Sequence, residues 1–214
     1  MATQAPSAAN LPLLYNDLQP LNSGQHSKLK LARQIVVPGV GQTHAIPVTV
    51  EEFTHAQRAF PIIFSAGDEP VPLALMGLNE GVNTFIDADG KPIDKMTYMP
   101  AYLRRYPFIL ARLRPETDEL SLCFDPTSGA FGEEEGEALF DGDQPTELTR
   151  NVLSFCEQFE TAGLRTQAFM NELKTSGLLM EGEVSIQPDG VEQPFLYRGF
   201  KMIDEDKLRN LRGD

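Results

Sequence analysis

The order of the predicted elements constrains the fold of this chain more than any other feature. Strand-like apolar runs lie between residues 34 and 124, separated by turns rich in Gly, Pro and Asp. The strongest helical patterns follow residue 146. Because strands and helices are segregated along the chain, the pattern predicts an α+β fold. It consists of an antiparallel sheet in the N-terminal half, a helical layer, and a closing hairpin plus helix over residues 183–211.

The individual elements follow from local signals. Thr49 and Glu52 fit a capping box, in which the two residues satisfy the first free amides of a helix. A helical turn is predicted over residues 100–105, directly before a buried strand. The helical layer consists of two predicted helices, one ended by Gly163 and one over residues 166–176. The inward stripe of the first of these is Leu148, Val152, Phe155 and Phe159. The predicted strands cover residues 34–37, 45–48, 61–64, 73–78, 82–86, 108–113 and 120–124.

The length and composition suit one substantial domain or two small ones. The chain has 214 residues, of which 41% are hydrophobic, so it can bury a sizeable core. Residues 1–17 are expected to form a flexible N-terminal arm, because residues 1–14 are rich in Ala, Pro, Ser and Asn. Residues 18–214 are predicted to form a single domain, with a long acidic excursion at about residues 125–146.

The charge of the chain excludes several classes of partner. The net charge is −13, and it is unevenly placed, with +1 on residues 1–115 and −14 on residues 116–214. Nucleic acid is not an expected partner, because its affinity for proteins comes largely from Lys and Arg that neutralise phosphates. Anionic lipid headgroups are disfavoured on the same grounds. No run approaches the roughly 20 apolar residues that a membrane span needs, so membrane insertion is not expected either.

The common catalytic motifs do not occur in the sequence. There is no Gly-x-Ser-x-Gly elbow, dinucleotide-binding glycine pattern or phosphate-binding loop. Cys123 and Cys156 are too few for a disulfide framework or a four-cysteine zinc site, and both are expected to be small buried hydrophobes. Accordingly, the sequence predicts no catalytic residue, no metal site and no cofactor, and a non-enzymatic protein is favoured.

The three histidines carry an alternative interpretation. His26, His44 and His55 fall within thirty residues of one another, and their convergence would make a metal-dependent enzyme. Their spacing matches no established zinc pattern. Ordinary surface or hydrogen-bonding roles are therefore favoured for them.

The most suggestive polar group of residues lies just before the strand predicted at residues 108–113. Arg104 and Arg105 stand between Tyr102 and Tyr106 in an otherwise acidic protein, and guanidinium groups bind carboxylates and phosphates well. These four residues, with Asn83, form the predicted ligand-binding site. Alternatively, one arginine pairs with an internal carboxylate and only braces the fold, because adjacent residues of a helical turn point about 100° apart.

Several runs along the chain together match a known family pattern: residues 19–22 with His26 and Leu29, 60–64, 75–78 with Asn83, 100–108, 139–140, 155–159, 199–200 and 204–208. Through these runs the sequence resembles the bacterial SapC family from about Leu18 to Leu211. The most specific part of the resemblance is the Arg-Arg-Tyr-Pro-Phe segment, residues 104–108. The chain differs from the family pattern after the Asp-Gly turn, where Lys91-Pro92-Ile93 stands in place of an expected tryptophan.

The resemblance implies a function but no catalytic residues. The family takes its name from a surface-layer-associated protein, and related genes lie beside halogenase-like proteins, cupin-like oxygenases and receptors for imported nutrients. This association implies a cytoplasmic accessory protein that binds a protein partner or a small anionic ligand. The alternative is a surface-layer component at the cell surface, exported without a cleaved signal, since the N-terminus has no early positive charge and no apolar h-region. Oligomeric state is not predicted.

Overall fold

The structure, a computed structural model, describes residues 11–87, 89–114, 116–187, 190 and 194–211. Its helices are α1 (Ser23–His26), α2 (Phe53–Ala56), α3 (Ala101–Arg104), α4 (Glu147–Thr175) and α5 (Glu205–Asn210). Its strands are β1 (Gln19–Pro20), β2 (Lys30–Leu31), β3 (Ala45–Pro47), β4 (Ile62–Ser65), β5 (Pro72–Leu75), β6 (Phe108–Arg112), β7 (Leu120–Phe124), β8 (Phe131–Gly132), β9 (Glu137–Ala138), β10 (Phe140–Asp141), β11 (Gln144–Pro145), β12 (Leu179–Ile186) and β13 (Phe195–Ile203).

The largest sheet joins the two ends of the chain. It is antiparallel, with strand order β12-β13-β4-β5-β3. Strand β13 meets the N-terminal strands where Phe200 pairs with Ser65 and Lys201 pairs with Phe64. The predicted closing hairpin is present, and it completes a sheet that the N-terminal half begins.

A second antiparallel sheet supports the segment with the two adjacent arginines. Its strand order is β1-β7-β6, with Phe108 opposite Phe124 and Arg112 opposite Leu120. Helix α3 ends four residues before β6 begins, and the Tyr106–Pro107 peptide bond between them is cis. The short connection holds the arginines at the edge of the main core.

The acidic segment is not entirely peripheral. Strands β8 and β9 pair on either side of β2, and β10 pairs with β11. Leu139 and Asp125 are completely buried, and an Asp125 carboxylate oxygen accepts a hydrogen bond from the Asn16 amide at 2.8 Å. Parts of residues 125–146 thus belong to the core.

The division into an arm and one domain stays a prediction. Residues 1–10 lie outside the described residues. Within the described part of the predicted arm, Tyr15 is buried and its hydroxyl donates to the Phe108 carbonyl at 2.8 Å. Contact with the core therefore begins before Leu18.

Helix α4 is one uninterrupted helix of 29 residues, so the predicted helix end at Gly163 is wrong. A glycine in a helix interior costs about 1 kcal/mol relative to alanine. Packing of the flanking turns offsets this cost, because Ala162 and Thr166 are both buried. The N-cap is Thr146, whose side chain accepts from the Thr149 amide.

Two other predicted elements are also wrong. Residues 34–37 and 82–86 do not form strands. In the second case a side chain replaces the missing strand partner, because the Asn83 amide oxygen accepts from the amides of Phe85 and Ile86 at 2.9 and 3.0 Å. The backbone amides of an apolar run can thus find hydrogen-bond acceptors without pairing to another strand.

The sequence also predicts turns at residues 87–90 and 188–190. These fall partly on Ala88 and on residues 188–189, which lie outside the described residues. The remaining predicted strands and the short helical turn before β6 are present with shifted ends. The architecture is α+β, as the sequence predicts. Within the described residues, no helix combines the length and the apolar character needed to cross a membrane.

Candidate functional site

The two adjacent arginines point into different surroundings. Arg104 is exposed, whereas Arg105 keeps only 6% of its surface accessible. Both belong to the α3 turn, in which successive side chains diverge by about 100°. The predicted pair of arginines is therefore divided into an internal cation and an external one.

Arg105 is held by aromatic rings and one carboxylate. Its guanidinium carbon lies 4.2 Å from the ring centroid of Phe159 and 4.6 Å from that of Tyr102. Its Nη1 lies 3.6 Å from Oε1 of Glu160, and its Nε has no hydrogen-bond partner among the described residues. Burial raises the pKa of Glu160, and the Arg105 charge opposes that rise. Arg105 therefore braces α3 against α4.

Arg104 is oriented but not neutralised. Its guanidinium carbon lies 5.3 Å from the Phe155 ring centroid and 5.8 Å from that of Tyr98, and its Nη2 donates to the Tyr98 hydroxyl at 3.3 Å. Within the part of the chain that the structure describes, no carboxylate forms an ion pair with it. The geometry leaves this cation able to accept an anion.

A buried glutamate fixes the surroundings of Arg104. One Glu52 carboxylate oxygen accepts from the Ala101 amide at 2.7 Å and from the Tyr98 hydroxyl at 3.0 Å. The other accepts from the amide and the hydroxyl of Thr49, at 2.9 and 3.0 Å, so the predicted capping box is present. Glu52 thus ties the start of α3 to Tyr98, which in turn contacts Arg104.

Three cavities adjoin the Arg104 side chain. One of about 240 Å³ is also lined by Arg105, Tyr106 and Phe155. A second, of about 250 Å³, is lined by Glu52, Tyr98, His55 and Phe155. A third, of about 170 Å³, is lined mostly by apolar side chains. A fixed guanidinium beside apolar walls suits a small anion with an apolar body.

Tyr102 and Tyr106 flank the arginines in different ways. The Tyr102 hydroxyl donates to the Leu13 carbonyl at 2.7 Å, so it is occupied inside the fold while its ring contacts Arg105. Tyr106 lines two of the three cavities. Burial raises the pKa of Tyr106 to about 12, with a further upward contribution from the Asp125 carboxylate. It is therefore a neutral wall at physiological pH.

Asn83 does not line the cavities described beside Arg104. Its side-chain nitrogen donates to the carbonyls of Val40 and Thr43, at 3.3 and 3.0 Å. Its side-chain oxygen accepts from the amides of Phe85 and Ile86, so Asn83 joins these two segments of the chain.

The structure does not bring the three histidines together. Among the described residues, no group of three His, Cys, Asp or Glu side chains is arranged to hold a metal ion. Each histidine contacts a different ring: His26 packs on Phe124, His44 on Tyr197 and His55 on Tyr98.

The cysteines are both buried, and burial raises the pKa of each thiol to about 11. Cys156 lines the 240 Å³ cavity as a neutral thiol.

Residues missed as site residues by the sequence analysis come mostly from α4. Phe155 and Phe159 are part of its inward stripe, and Glu160 follows directly. An aromatic stripe at helical spacing indicates core packing. Only the position of α4 in the fold shows that this stripe contacts Arg104 and Arg105. Glu52 was visible as a capping residue but not as the residue that anchors Tyr98.

The fold and the site define an acidic α+β protein with an arginine beside a cleft. The sequence model of the SapC family matches residues 21–214, and the chain belongs to this family. Comparison with the curated proteins gives no match, and comparison with the solved structures gives none either.

Proposed function

We propose that this protein is a non-catalytic binding protein that takes a small anionic ligand at Arg104. The observation that carries the proposal is the state of this guanidinium. It is oriented by Tyr98 and Phe155 and has no carboxylate partner among the described residues. In a chain of net charge −13, a cation left unpaired beside cavities is available for a ligand.

Rigidity favours binding at this position. A guanidinium that is already held loses little conformational entropy when it clamps a carboxylate through two parallel hydrogen bonds. Phe155 supplies apolar area for the body of the ligand. The proposed ligand is therefore a carboxylate with an apolar or aromatic body.

The neighbouring arginine has a positioning role in this proposal. Arg105 is buried between Phe159 and Tyr102, so its charge acts mainly within the fold. Replacement of Arg105 is expected to change stability, and replacement of Arg104 is expected to change affinity.

Benzoate and benzamide provide a matched test, because they share a ring and differ in charge. We expect benzoate to bind the protein and benzamide to bind at least fivefold more weakly, as expected for loss of a charge-assisted pair worth about 1–3 kcal/mol. Arg104→Gln should remove this preference. Arg58→Gln, which alters an exposed arginine in the turn after α2, should keep it. Equal binding of both probes, or a preference that survives Arg104→Gln, would contradict the proposal.

The natural ligand requires a different measurement. Native mass spectrometry of protein purified from its own cells is expected to detect a retained acid in the wild-type protein and to miss it in Arg104→Gln. Retention by both proteins would locate the ligand elsewhere.

The family resemblance supports a cytoplasmic accessory role, which we include in the proposal. The expected partners are halogenase-like proteins, cupin-like oxygenases and nutrient-uptake systems. Fractionation of native cells tests the compartment, and recovery in the surface layer would favour the structural alternative. A native pull-down with mass spectrometry tests the partners.

A further inference from the structure

A separate cavity lies between residues 159–171 of α4 on one side and, on the other, the end of β3 and the segment that precedes β5. Its volume is about 350 Å³, and apolar side chains line most of it. Val48 and Pro72 form one side, and Phe159 and Met170 form the other. Methionine adapts readily to different apolar shapes. The cavity is large enough for a short alkyl chain.

Gly163 is the reason that α4 leaves this space open. It lines the cavity from the middle of the helix, and a Cβ atom built on it meets nothing within 4 Å. Thr166 lies beside it, but its hydroxyl donates to the Ala162 carbonyl and accepts from the Val50 amide. The floor of the cavity therefore presents little unsatisfied polarity to an apolar ligand.

The mouth of the cavity carries negative charge. Asp68 and Glu69 line it, and neither carboxylate forms an ion pair among the described residues. Two lysines hold this loop through its backbone instead. Lys174 donates to the Asp68 carbonyl and Lys201 to the Gly67 carbonyl, each at 2.7 Å. Gln167 and Asn171, one turn apart on α4, line the same cavity.

We infer that this cavity binds a small apolar molecule with a primary ammonium group. The alkyl part lies along Val48, Phe159 and Met170, and the ammonium group reaches the carboxylates of Asp68 and Glu69. Apolar burial supplies the affinity, and the acidic mouth selects the charge of the head group. The inference does not rest on the proposed anion site, which uses a different cavity and the opposite charge.

Three probes of equal chain length test the charge preference: octylamine, octanol and octanoate. Calorimetry at neutral pH uses the Arg104→Gln variant, in which octanoate cannot bind at the proposed anion site, and it is expected to rank the three probes in that order. Octylammonium should bind about fivefold more tightly than octanol, because partly exposed ion pairs contribute up to about 1 kcal/mol each. The double substitution Asp68→Asn with Glu69→Gln should remove this difference and leave octanol binding unchanged. Octanoate binding as tightly as octylamine would overturn the inference.

Gly163→Leu tests the position of the alkyl chain. The new side chain would occupy the cavity, so binding of octylamine should fall at least tenfold. Gly163→Ala is the matched control, because it adds one methyl group and should leave most of the affinity. Unchanged binding by Gly163→Leu would overturn the inference.

Methyl NMR of the wild-type protein tests the position of the alkyl chain without relying on Gly163→Leu. Octylamine should shift the methyl signals of Met170 and Val48, and the absence of such shifts would also overturn the inference. Arg104→Gln should bind octylamine normally while losing its benzoate preference. The two proposed sites can therefore fail separately.

Discussion

The two halves of α4 face different chemistry although they form one continuous helix. Before Gly163, its aromatic residues pack on two cations, with Phe155 beside Arg104 and Phe159 on Arg105. After Gly163, Met170 packs into an apolar cluster with Phe64 from β4. The same helical periodicity thus places aromatic rings against cations in one half and apolar side chains beside an open cavity in the other, and Phe159 lines that cavity as well.

This difference shows that an apolar stripe does not determine what it covers. The layer beneath it decides, and here that layer changes from α3 to the five-stranded sheet along one helix. In the first half an internal ion pair belongs to the core, whereas beside the second half Gly163 leaves space that the core does not use.

The largest expected effect on stability comes from removing Arg105, which packs against the first half of α4. Arg105→Ala removes the partner of Glu160 and leaves a gap between Phe159 and Tyr102. We expect the free energy of unfolding in urea to fall by about 2–3 kcal/mol, a value below that of a fully buried pair because Glu160 is partly exposed. Arg104→Ala is the control and should cost under about 1 kcal/mol. Equal losses would show that the two arginines are not divided as described.

A smaller effect of opposite sign is expected in the middle of the helix. Gly163→Ala should raise the free energy of unfolding by up to about 1 kcal/mol, because alanine favours a helical backbone and its methyl group meets nothing within 4 Å.

Gly177 provides the matched control for that change. It follows α4 with a φ of +68° and also has open space around it. Gly177→Ala should therefore destabilise the protein by about 1 kcal/mol, because alanine disfavours the left-handed region. A loss at Gly163 as large as that at Gly177 would contradict the helical description of Gly163.

The smallest expected effect is a dependence of stability on pH that comes from Glu160, in the first half of α4. Burial raises the pKa of Glu160, so the folded state holds this proton more tightly than the unfolded state does. The stabilising contribution is complete below the ordinary carboxyl pKa of about 4.5 and is lost as the pH rises through the higher folded-state pKa. We therefore expect the urea midpoint of the wild-type protein to fall relative to that of Glu160→Gln as the pH rises above about 4.5.

Glu157→Gln controls for the removal of any carboxylate from α4, because Glu157 lies on the exposed side of the helix. Its midpoints should not show the same gain over the wild-type protein as the pH rises. A gain equal to that of Glu160→Gln would assign the effect to net charge instead of burial.

Local signals predicted much of the fold but little of the site. The stripe of α4 and the capping box at Thr49 and Glu52 follow from spacing alone, and both are present. The helix end predicted at Gly163 is wrong, because tertiary packing on either side outweighs the cost of one glycine. The strand predicted at residues 82–86 is wrong, because Asn83 supplies hydrogen bonds that periodicity does not reveal.

The predicted site illustrates the same limit. The sequence predicts that Arg104 and Arg105 diverge, but the docking of α4 decides which one is internal. Asn83 entered the predicted site as a neighbouring polar residue, whereas in the fold its side chain binds backbone groups of residues 85–86 and of residues 40 and 43. Whether the site binds a ligand stays a prediction.

The pairing of β13 with β4 has a consequence for synthesis on the ribosome. Until residues 195–203 have emerged, the Ile62–Ser65 strand has a free edge along the side that later receives Phe200 and Lys201. Unpaired strand edges favour aggregation during folding. The nascent chain therefore carries an exposed apolar edge through most of its translation, and we expect its yield in cells to depend on chaperones that bind emerging chains.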